Sequence, residues 1–291
     1  MNKYILSAFS DEIDEDLKTQ MDVLDQYGIK YIEIRGVNGR NIVQHTLEEV
    51  KEIKKALDAR GFKISAVGSP IGKILITDDF EPHLELFRHT LEIARILETS
   101  YVRMFSFFIP RGDEPAKHRE QVLQRLSGFI EAAKGSGIVL LHENEKDIYG
   151  DIPERCLDIL EAMNCDYFRA AFDPANFVQC DAKTYPEGFE LLEKYVVHMH
   201  IKDALYKDHS VVPAGYGDGR VKEILTRLYS RGYEGILTFE PHLAAFKGFE
   251  ALELNPGGNA REDGSLDGPG QFSLAVGALK NILSEIENAA E

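Results

Sequence analysis

The stretch SAFSDEIDED, residues 7–16, decides between the two α/β architectures open to this chain. It follows the first β-type run of the sequence and precedes the first helical pattern. An open, doubly wound sheet usually has a glycine-rich turn at this place, where backbone N–H groups hold a nucleotide's phosphates. This turn is acidic and contains no glycine, so it is unsuited to a pyrophosphate. It favours the other architecture, a closed barrel.

Eight short β-type runs alternate with amphipathic helical patterns along the chain. The runs are YILSAF (4–9), YIEIR (31–35), KISAVGS (63–69), YVRMFSF (101–107), GIVLLHE (137–143), FRAAFD (168–173), VVHMHIK (196–202) and GILTFE (235–240). Several helical patterns end at a glycine just before the next strand, namely Gly28, Gly61, Gly137 and Gly232. This alternation predicts an α/β fold, a (β/α)8 TIM barrel formed by a single domain over residues 1–291. A polar loop at about 241–270 is expected before the last helix.

Composition and charge indicate which partners the protein binds and where in the cell it is expected. The net charge of −16 disfavours nucleic acid, which is usually bound by basic surfaces. No apolar run reaches the roughly 18 residues that a membrane span needs, so we expect no membrane partner. The N-terminus turns acidic after about eight residues, unlike a signal or transit peptide, and the three cysteines lack Cys-x-x-Cys spacing. A cytoplasmic protein without a cysteine-built metal site is expected.

Residues that commonly bind metals stand at the ends of the last four predicted strands. They are Glu143, Asp173, His200 and Glu240. Because the carboxyl ends of barrel strands surround one site, we expect these side chains to converge. Three carboxylates and one imidazole suit one divalent metal ion, with Mn²⁺ favoured and Mg²⁺, Co²⁺ or Zn²⁺ left open. Without a cation, some of the carboxyl groups would need raised pKa values.

Each of these residues also has a purely structural interpretation. A carboxylate at a strand end often caps the following helix, and Asp173 directly precedes Pro174. His198 lies one pleat deeper than His200 on the same face, so a buried, hydrogen-bonded role is expected for it. His142 should point toward the helices by strand alternation and is left out of the metal site. The metal hypothesis depends on four such residues ending four consecutive strands.

Five segments of the chain resemble those of a known family. They are ENE (143–145), FDPANF (172–177), HMHIKD (198–203), PAGYGDG (213–219) and FEPH (239–242). The family is the xylose-isomerase-like TIM barrel superfamily, the sugar phosphate isomerase/epimerase group. The resemblance implies that Glu143, Asp173, His200 and Glu240 bind one metal ion. Its endonuclease branch needs extra histidines on strands three and four and an Asp-x-His after strand seven. This chain has none of these, which argues against a multi-zinc nuclease. The epimerases have a histidine where this chain has Asn176.

The preferred hypothesis is a metal-dependent isomerase or epimerase that acts on a sugar or keto-polyol through an enediolate. Glu143 and Glu240 are the predicted acid–base pair. The predicted substrate-binding residues are Arg35, Lys73, Arg103, Asn176 and Lys202. Two alternatives stay open: a lyase that dehydrates its substrate, as inosose dehydratases do, and a non-catalytic sugar-binding barrel. The expected partner is a small sugar-like molecule, with a homo-oligomer possible.

Overall fold

A computed structural model of the chain describes residues 4–243 and 267–290. Eight parallel strands close into a barrel in which each strand pairs with its neighbours in the sequence, and β1 pairs with β8. The strands are β1 (Ile5–Ala8), β2 (Tyr31–Ile34), β3 (Lys63–Gly68), β4 (Tyr101–Met104), β5 (Val139–Glu143), β6 (Phe168–Phe172), β7 (Val196–Ile201) and β8 (Ile236–Phe239). The predicted TIM barrel is confirmed.

Helices cover the outside of this barrel. Within the described residues they are α1 (Leu17–Gln26), α2 (Leu47–Asp58), α3 (Glu81–Ile96), α4 (Arg119–Ala133), α5 (Pro153–Met163), α6 (Pro174–Gln179), α7 (Glu187–Leu192), α8 (Val221–Ser230) and α9 (Gly268–Ala290). Asp16 caps the N-terminus of α1, and Thr46 and Glu49 form a capping box at the start of α2. Gly28, Gly61, Gly137 and Gly232 all have positive φ, as expected of glycines that end helices.

The strands are apolar in sequence because their side chains are buried on both faces of the sheet. The outward residues of the barrel belong to one large apolar layer beneath the helices, and in β7 these are Met199 and Ile201. Inside the barrel a separate small apolar cluster contains Ala66, Leu141 and Ala171. Both faces of each strand are buried, which is typical of parallel sheets. The polar side chains that form the site lie in the interior and at its carboxyl end, among them Glu33, Glu143 and His200.

The connection after β6 departs from the predicted alternation of one strand with one helix, because β6 is followed by both α6 and α7. The first of these is a short helix that starts directly at Asp173, and α7 packs its Phe189 ring 5.3 Å from that of Phe172. The loop predicted at about 241–270 lies mostly outside the described residues. The single domain over 1–291 therefore stays a prediction.

No helix in residues 4–243 or 267–290 has both the length and the apolar character that crossing a bilayer requires.

Candidate active site

The four residues predicted to bind a metal come together at the carboxyl end of the barrel. One donor atom from each of Glu143, Asp173, His200 and Glu240 lies within 4.8 Å of the others. All four side chains are buried, with at most 3% of any residue exposed. His200 Nδ1 is at the centre of the group, 2.9 Å from Glu143 Oε1 and 3.3 Å from Glu240 Oε2.

Burial and neighbouring charges shift the pKa values of this cluster in different directions. Burial alone would raise the pKa of Glu240, but Lys202, His242 and His200 lower it well below its usual range. Burial raises the pKa of Asp173 to about 7, and repulsion by Glu240 and Glu143 adds to the effect although Lys202 opposes it. Burial alone would lower the pKa of His200, but the three carboxylates Glu143, Glu33 and Glu240 raise it well above its usual range. A positive charge placed among these groups would therefore be strongly stabilised.

The donor atoms of the cluster fit a divalent cation. Asp173 Oδ2 and Glu240 Oε2 are buried and accept no hydrogen bond within the described part of the chain. The Lys202 ammonium lies 2.9 Å from the first of these oxygens and 3.6 Å from the second. Asp173 Oδ1, in contrast, accepts the backbone N–H of Asn176 and so caps α6. The capping and metal-binding interpretations of Asp173 are thus compatible, because they use different oxygen atoms.

A second layer of buried groups sets the orientation of His200. Its Nε2 hydrogen-bonds Glu33 Oε2 at 3.2 Å, and the same oxygen lies 2.7 Å from His198 Nε2. His198 Nε2 in turn contacts Thr238 Oγ1 at 2.7 Å. Glu33, His198, His200 and Thr238 are all 0% exposed. Because Glu33 engages Nε2, the imidazole of His200 presents Nδ1 to the cluster, an arrangement typical of metal-binding histidines.

Arg35 links Glu240 to the acidic turn that follows β1. Its Nη1 is 3.1 Å from Glu240 Oε1, while Nε and Nη2 contact Asp11 Oδ2 at 2.8 Å and Glu12 Oε1 at 3.0 Å. The pKa of Glu12 is raised to about 8, chiefly by burial, with Arg35 opposing the shift and Glu240 adding to it. The backbone N–H of His242 donates to Glu12 Oε2 at 2.7 Å. The acidic turn thus anchors the guanidinium that holds Glu240.

Glu143 is held in a similar way from the other side of the site. Arg103 Nη1 lies 3.1 Å from Glu143 Oε2, and Asn176 Nδ2 donates to Glu143 Oε1 at 3.4 Å and to the Asn144 carbonyl at 2.8 Å. Asn144 ties this strand end to the next, because its side chain exchanges two hydrogen bonds with the backbone of Asp173. These contacts fix the carboxylate of Glu143 relative to Asp173.

Lys73 reaches the same region from the loop after β3. Its Nζ is 3.0 Å from Glu145 Oε2 and 4.4 Å from the centre of the Phe105 ring. His83 Nε2 accepts the backbone N–H of Gly72 at 2.8 Å, which secures the loop beside Lys73. The five residues predicted to bind substrate therefore all surround the cluster, each in contact with a carboxylate. Substrate binding by them stays a prediction.

Several site residues were not assigned a role from the sequence: Asp11, Glu12, Glu33, Asn144, Glu145 and His242. Glu33 stands at a predicted strand end, and this position was the signal that could have found it. The segments ENE and FEPH contain Asn144, Glu145 and His242. His198 is buried and hydrogen-bonded, as expected. His142 points away from the cluster and packs against Gly150, where an added Cβ would lie 2.5 Å from the ring.

Comparisons with known proteins agree with this fold. The family model described as "Xylose isomerase-like TIM barrel" matches residues 21–266. A curated relative, an uncharacterised protein of Methanocaldococcus jannaschii, is 24% identical over 168 residues, and the match spans 54% of this chain and 56% of the relative. This chain thus spans about half the length of that relative.

Two solved structures share the fold over nearly the whole chain. A D-tagatose 3-epimerase-like protein superimposes with a TM-score of 0.74 at 18% identity and covers 99% of this chain and 100% of its own. The IolI protein, solved with a bound zinc atom, has a TM-score of 0.72 at 16% identity and covers 97% and 99% of the two chains. At these identities the likeness concerns the fold alone.

Proposed function

Because the chain belongs to the xylose isomerase-like TIM barrel family, we propose that it is a metal-dependent isomerase or epimerase of a sugar or keto-polyol. The observation that carries the proposal is the buried cluster of Glu143, Asp173, His200 and Glu240, whose donor atoms lie within 4.8 Å of one another. A group of three carboxylates and one imidazole at the carboxyl end of a barrel is suited to catalysis rather than to stability.

Glu143, Asp173, His200 and Glu240 would hold one divalent ion, and their mostly oxygen ligands favour Mn²⁺ over softer ions. When bound, such an ion supplies Lewis-acid polarisation of a substrate carbonyl. The solved IolI structure contains zinc, so Zn²⁺ is the second ion to test. Lys202 contacts two of the same carboxylate oxygens and would compensate their charge whenever no ion is present.

Glu143 and Glu240 are suited to move the proton. One carboxylate removes the proton from the carbon next to the carbonyl, which yields an enediolate. The other, in its acid form, delivers a proton to the opposite face of that carbon or to its neighbour. Arg103 holds Glu143 and Arg35 holds Glu240, at 3.1 Å in each case. Fixed carboxylates on two sides of one site allow both the removal and the return of a proton without rearrangement.

Arg35, Lys73, Arg103, Asn176 and Lys202 would orient the substrate by donating to its carbonyl and hydroxyl oxygens. Asn176 is the specificity determinant that we propose first, because it contacts Glu143 directly and so lies beside the reacting carbon. A hydroxyl at this position would receive an amide hydrogen bond, and a buried polar group left without its partner strongly disfavours the wrong substrate.

The test is solvent exchange in heavy water. Metal-loaded protein is incubated with a panel of ketoses and inososes, and deuterium at the carbon next to the carbonyl is followed by NMR. We expect exchange with at least one substrate, loss of exchange in the chelated protein, and loss of turnover in Glu143→Gln and Glu240→Gln. Release of water without a returned deuteron would indicate a lyase. No exchange anywhere in the panel, with metal bound, would indicate a sugar-binding barrel.

A further inference from the structure

Four buried basic side chains surround the cluster, and each already has a carboxylate partner. Side-chain exposure is 3% for Arg35 and 2% for Arg103, Lys73 and Lys202. The pairs are Arg35–Asp11 at 2.8 Å, Arg103–Glu143 at 3.1 Å, Lys73–Glu145 at 3.0 Å and Lys202–Asp173 at 2.9 Å. Glu12, Glu33 and Glu240 add further buried carboxylates to the same region. The acids thus outnumber the bases, and a divalent ion would only bring the site near balance.

The loop after β7 is where a barrel of this kind often binds phosphate through backbone N–H groups. Here the segment PAGYGDG (213–219) has glycines of the right kind, but their N–H groups are occupied. The buried Asp203 carboxylate accepts hydrogen bonds from all three. Its Oδ2 accepts the N–H groups of Gly215 at 2.9 Å and Gly217 at 3.0 Å, and its Oδ1 accepts that of Gly219 at 2.8 Å. The anion that this loop binds is a side chain of the protein itself.

The glycines of the loop are explained by the same aspartate. A Cβ on Gly217 would lie 2.3 Å from Asp203 Oδ1, and one on Gly219 would lie 2.7 Å from it. Both distances are shorter than real contacts, so only glycine allows the backbone to approach the carboxylate. The loop sequence that resembles a phosphate cradle is therefore built around Asp203.

Three other places around the site are also unsuited to an anion. The N-terminus of α6 is capped by Asp173, and Gly72 in the loop after β3 donates its N–H to His83. The turn after β1 contributes Asp11 and Glu12 in place of a glycine-rich cradle.

We propose that the site takes an uncharged keto sugar and discriminates against phosphorylated and carboxylated analogues. This inference rests on the proposed function and specifies its substrate class. A phosphate group would bring about two further negative charges to a region where Arg35, Lys73, Arg103 and Lys202 each already have a carboxylate partner. Arg103 still has N–H groups for neutral hydroxyl oxygens, which need no compensating charge, because its Nε and Nη2 have no hydrogen-bond partner among the described residues.

The first test uses matched pairs of substrates with the metal-loaded full chain. Each pair is a free ketose and its phosphate ester, for example fructose with fructose 6-phosphate and ribulose with ribulose 5-phosphate. Deuterium exchange should favour the free sugar of any reactive pair by at least about 100-fold in kcat/KM, as expected when a charge must be buried without a partner. Preference for the phosphorylated member of the reactive pairs would overturn the inference and leave the proposed function standing.

A charge variant tests the physical basis. Glu145→Gln removes one negative charge 3.0 Å from Lys73 Nζ, and it should shift the kcat/KM ratio at least fivefold toward the phosphate ester. The matched control is Glu187→Gln, an equal change of charge at a half-exposed position on α7, paired there with Lys183. Equal ratios in both variants and the wild type would contradict the role assigned to charge balance.

Direct binding decides the inference even if no substrate reacts. Absence of exchange in every pair would overturn the proposed function, and calorimetry with inorganic phosphate then tests the charge argument alone. The wild type should show no binding tighter than about 1 mM. A tighter complex, present in the metal-free protein, would overturn the inference whatever the reaction.

Discussion

Replacing Glu33 with glutamine should weaken metal binding without removing a ligand. Glu33 Oε2 accepts the Nε2 hydrogen of His200 at 3.2 Å in a position that is 0% exposed. Loss of a carboxylate partner of a metal-binding histidine typically costs 10- to 100-fold in affinity, or about 1.4–2.7 kcal/mol. We expect a loss in this range for the Glu33→Gln variant.

The expected magnitude follows from the surroundings of Glu33. The loss should reach at least tenfold because no solvent is available to replace the carboxylate, and a buried hydrogen bond to a charged group contributes about 1.5–3 kcal/mol. It should not exceed 100-fold because the glutamine oxygen still accepts a hydrogen bond. Glu143, Asp173 and Glu240 also keep their own contacts in this variant, namely those with Arg103, Lys202 and Arg35.

The assay is competition for Zn²⁺ against a chromogenic chelator, with the histidine tautomer followed by ¹⁵N NMR in the zinc-loaded protein. The wild type should carry its His200 proton on Nε2. The matched control is Thr238→Val, which removes the hydroxyl 2.7 Å from His198 Nε2 and leaves the contact between Glu33 and His200 intact. It should bind zinc within about twofold of the wild type while losing stability. Wild-type affinity in Glu33→Gln, or an equal loss in both variants, would refute the reasoning.

Three further predictions concern stability. Burial, reinforced by Arg125, lowers the pKa of His83 to about 4, so the unfolded chain binds more protons than the folded one between pH 6.5 and 4. The unfolding free energy of the wild type should therefore fall by up to about 3 kcal/mol, because of this group, as the pH falls through that window. Urea titrations of His83→Gln at a series of pH values should lack this part of the fall. Parallel pH profiles of the unfolding free energy in the two proteins would contradict the prediction. Asp203→Asn removes the negative charge of the side chain that accepts three backbone N–H groups of the loop after β7. The free energy of unfolding in urea should therefore fall by about 2–4 kcal/mol. An unchanged value would show that the carboxylate does not organise the loop. Adding Mn²⁺ or Zn²⁺ at 100 times its Kd to chelated protein should raise the unfolding free energy by about 2.7 kcal/mol, and no rise with either ion would count against the metal site.

The sequence was sufficient for the barrel because every strand is buried on both faces. A run such as GIVLLHE is apolar for the length of a strand and polar only at its end, and glycines mark where the helices stop. The convergence of Glu143, Asp173, His200 and Glu240 followed from the same pattern. Parallel strands in a barrel place their carboxyl ends together, so the convergence of these four side chains could be predicted without any knowledge of side-chain contacts.

Contacts across the barrel could not be predicted in this way. Glu33 and His200 are 167 residues apart in sequence and meet through the interior. Their contact depends on the stagger of the strands, which differs from pair to pair and includes an irregularity in β2 between Ile32 and Glu33. A pattern of alternating residues defines which face a side chain occupies, but it does not define the height at which two strands are matched.

The ion pairs of the site could not be predicted from the sequence either. Arg35 is a strand-end cation in the sequence, and its proximity to Asp11 and Glu12 arises only when β2 comes to lie beside β1. The acidic turn that excludes a phosphate cradle therefore has a second role, as the anchor of a guanidinium that holds Glu240. Net charge alone gives the excess of acid but not its location.

The polar face of β7 can be compared with the other side chains that fill the inside of the barrel. Part of the inside of the barrel is apolar and contains Ala66, Leu141 and Ala171, while Ser7 and Ser65 pair there through their hydroxyl groups at 2.6 Å. His198 and Glu33 also lie inside, and burying an ionised carboxylate beside two imidazoles is costly unless every group has a partner. Apolar residues of similar size would stabilise the barrel at least as well. We interpret these polar groups as orienting His200, because Glu33 Oε2 contacts its Nε2 at 3.2 Å and so turns Nδ1 toward the carboxylates.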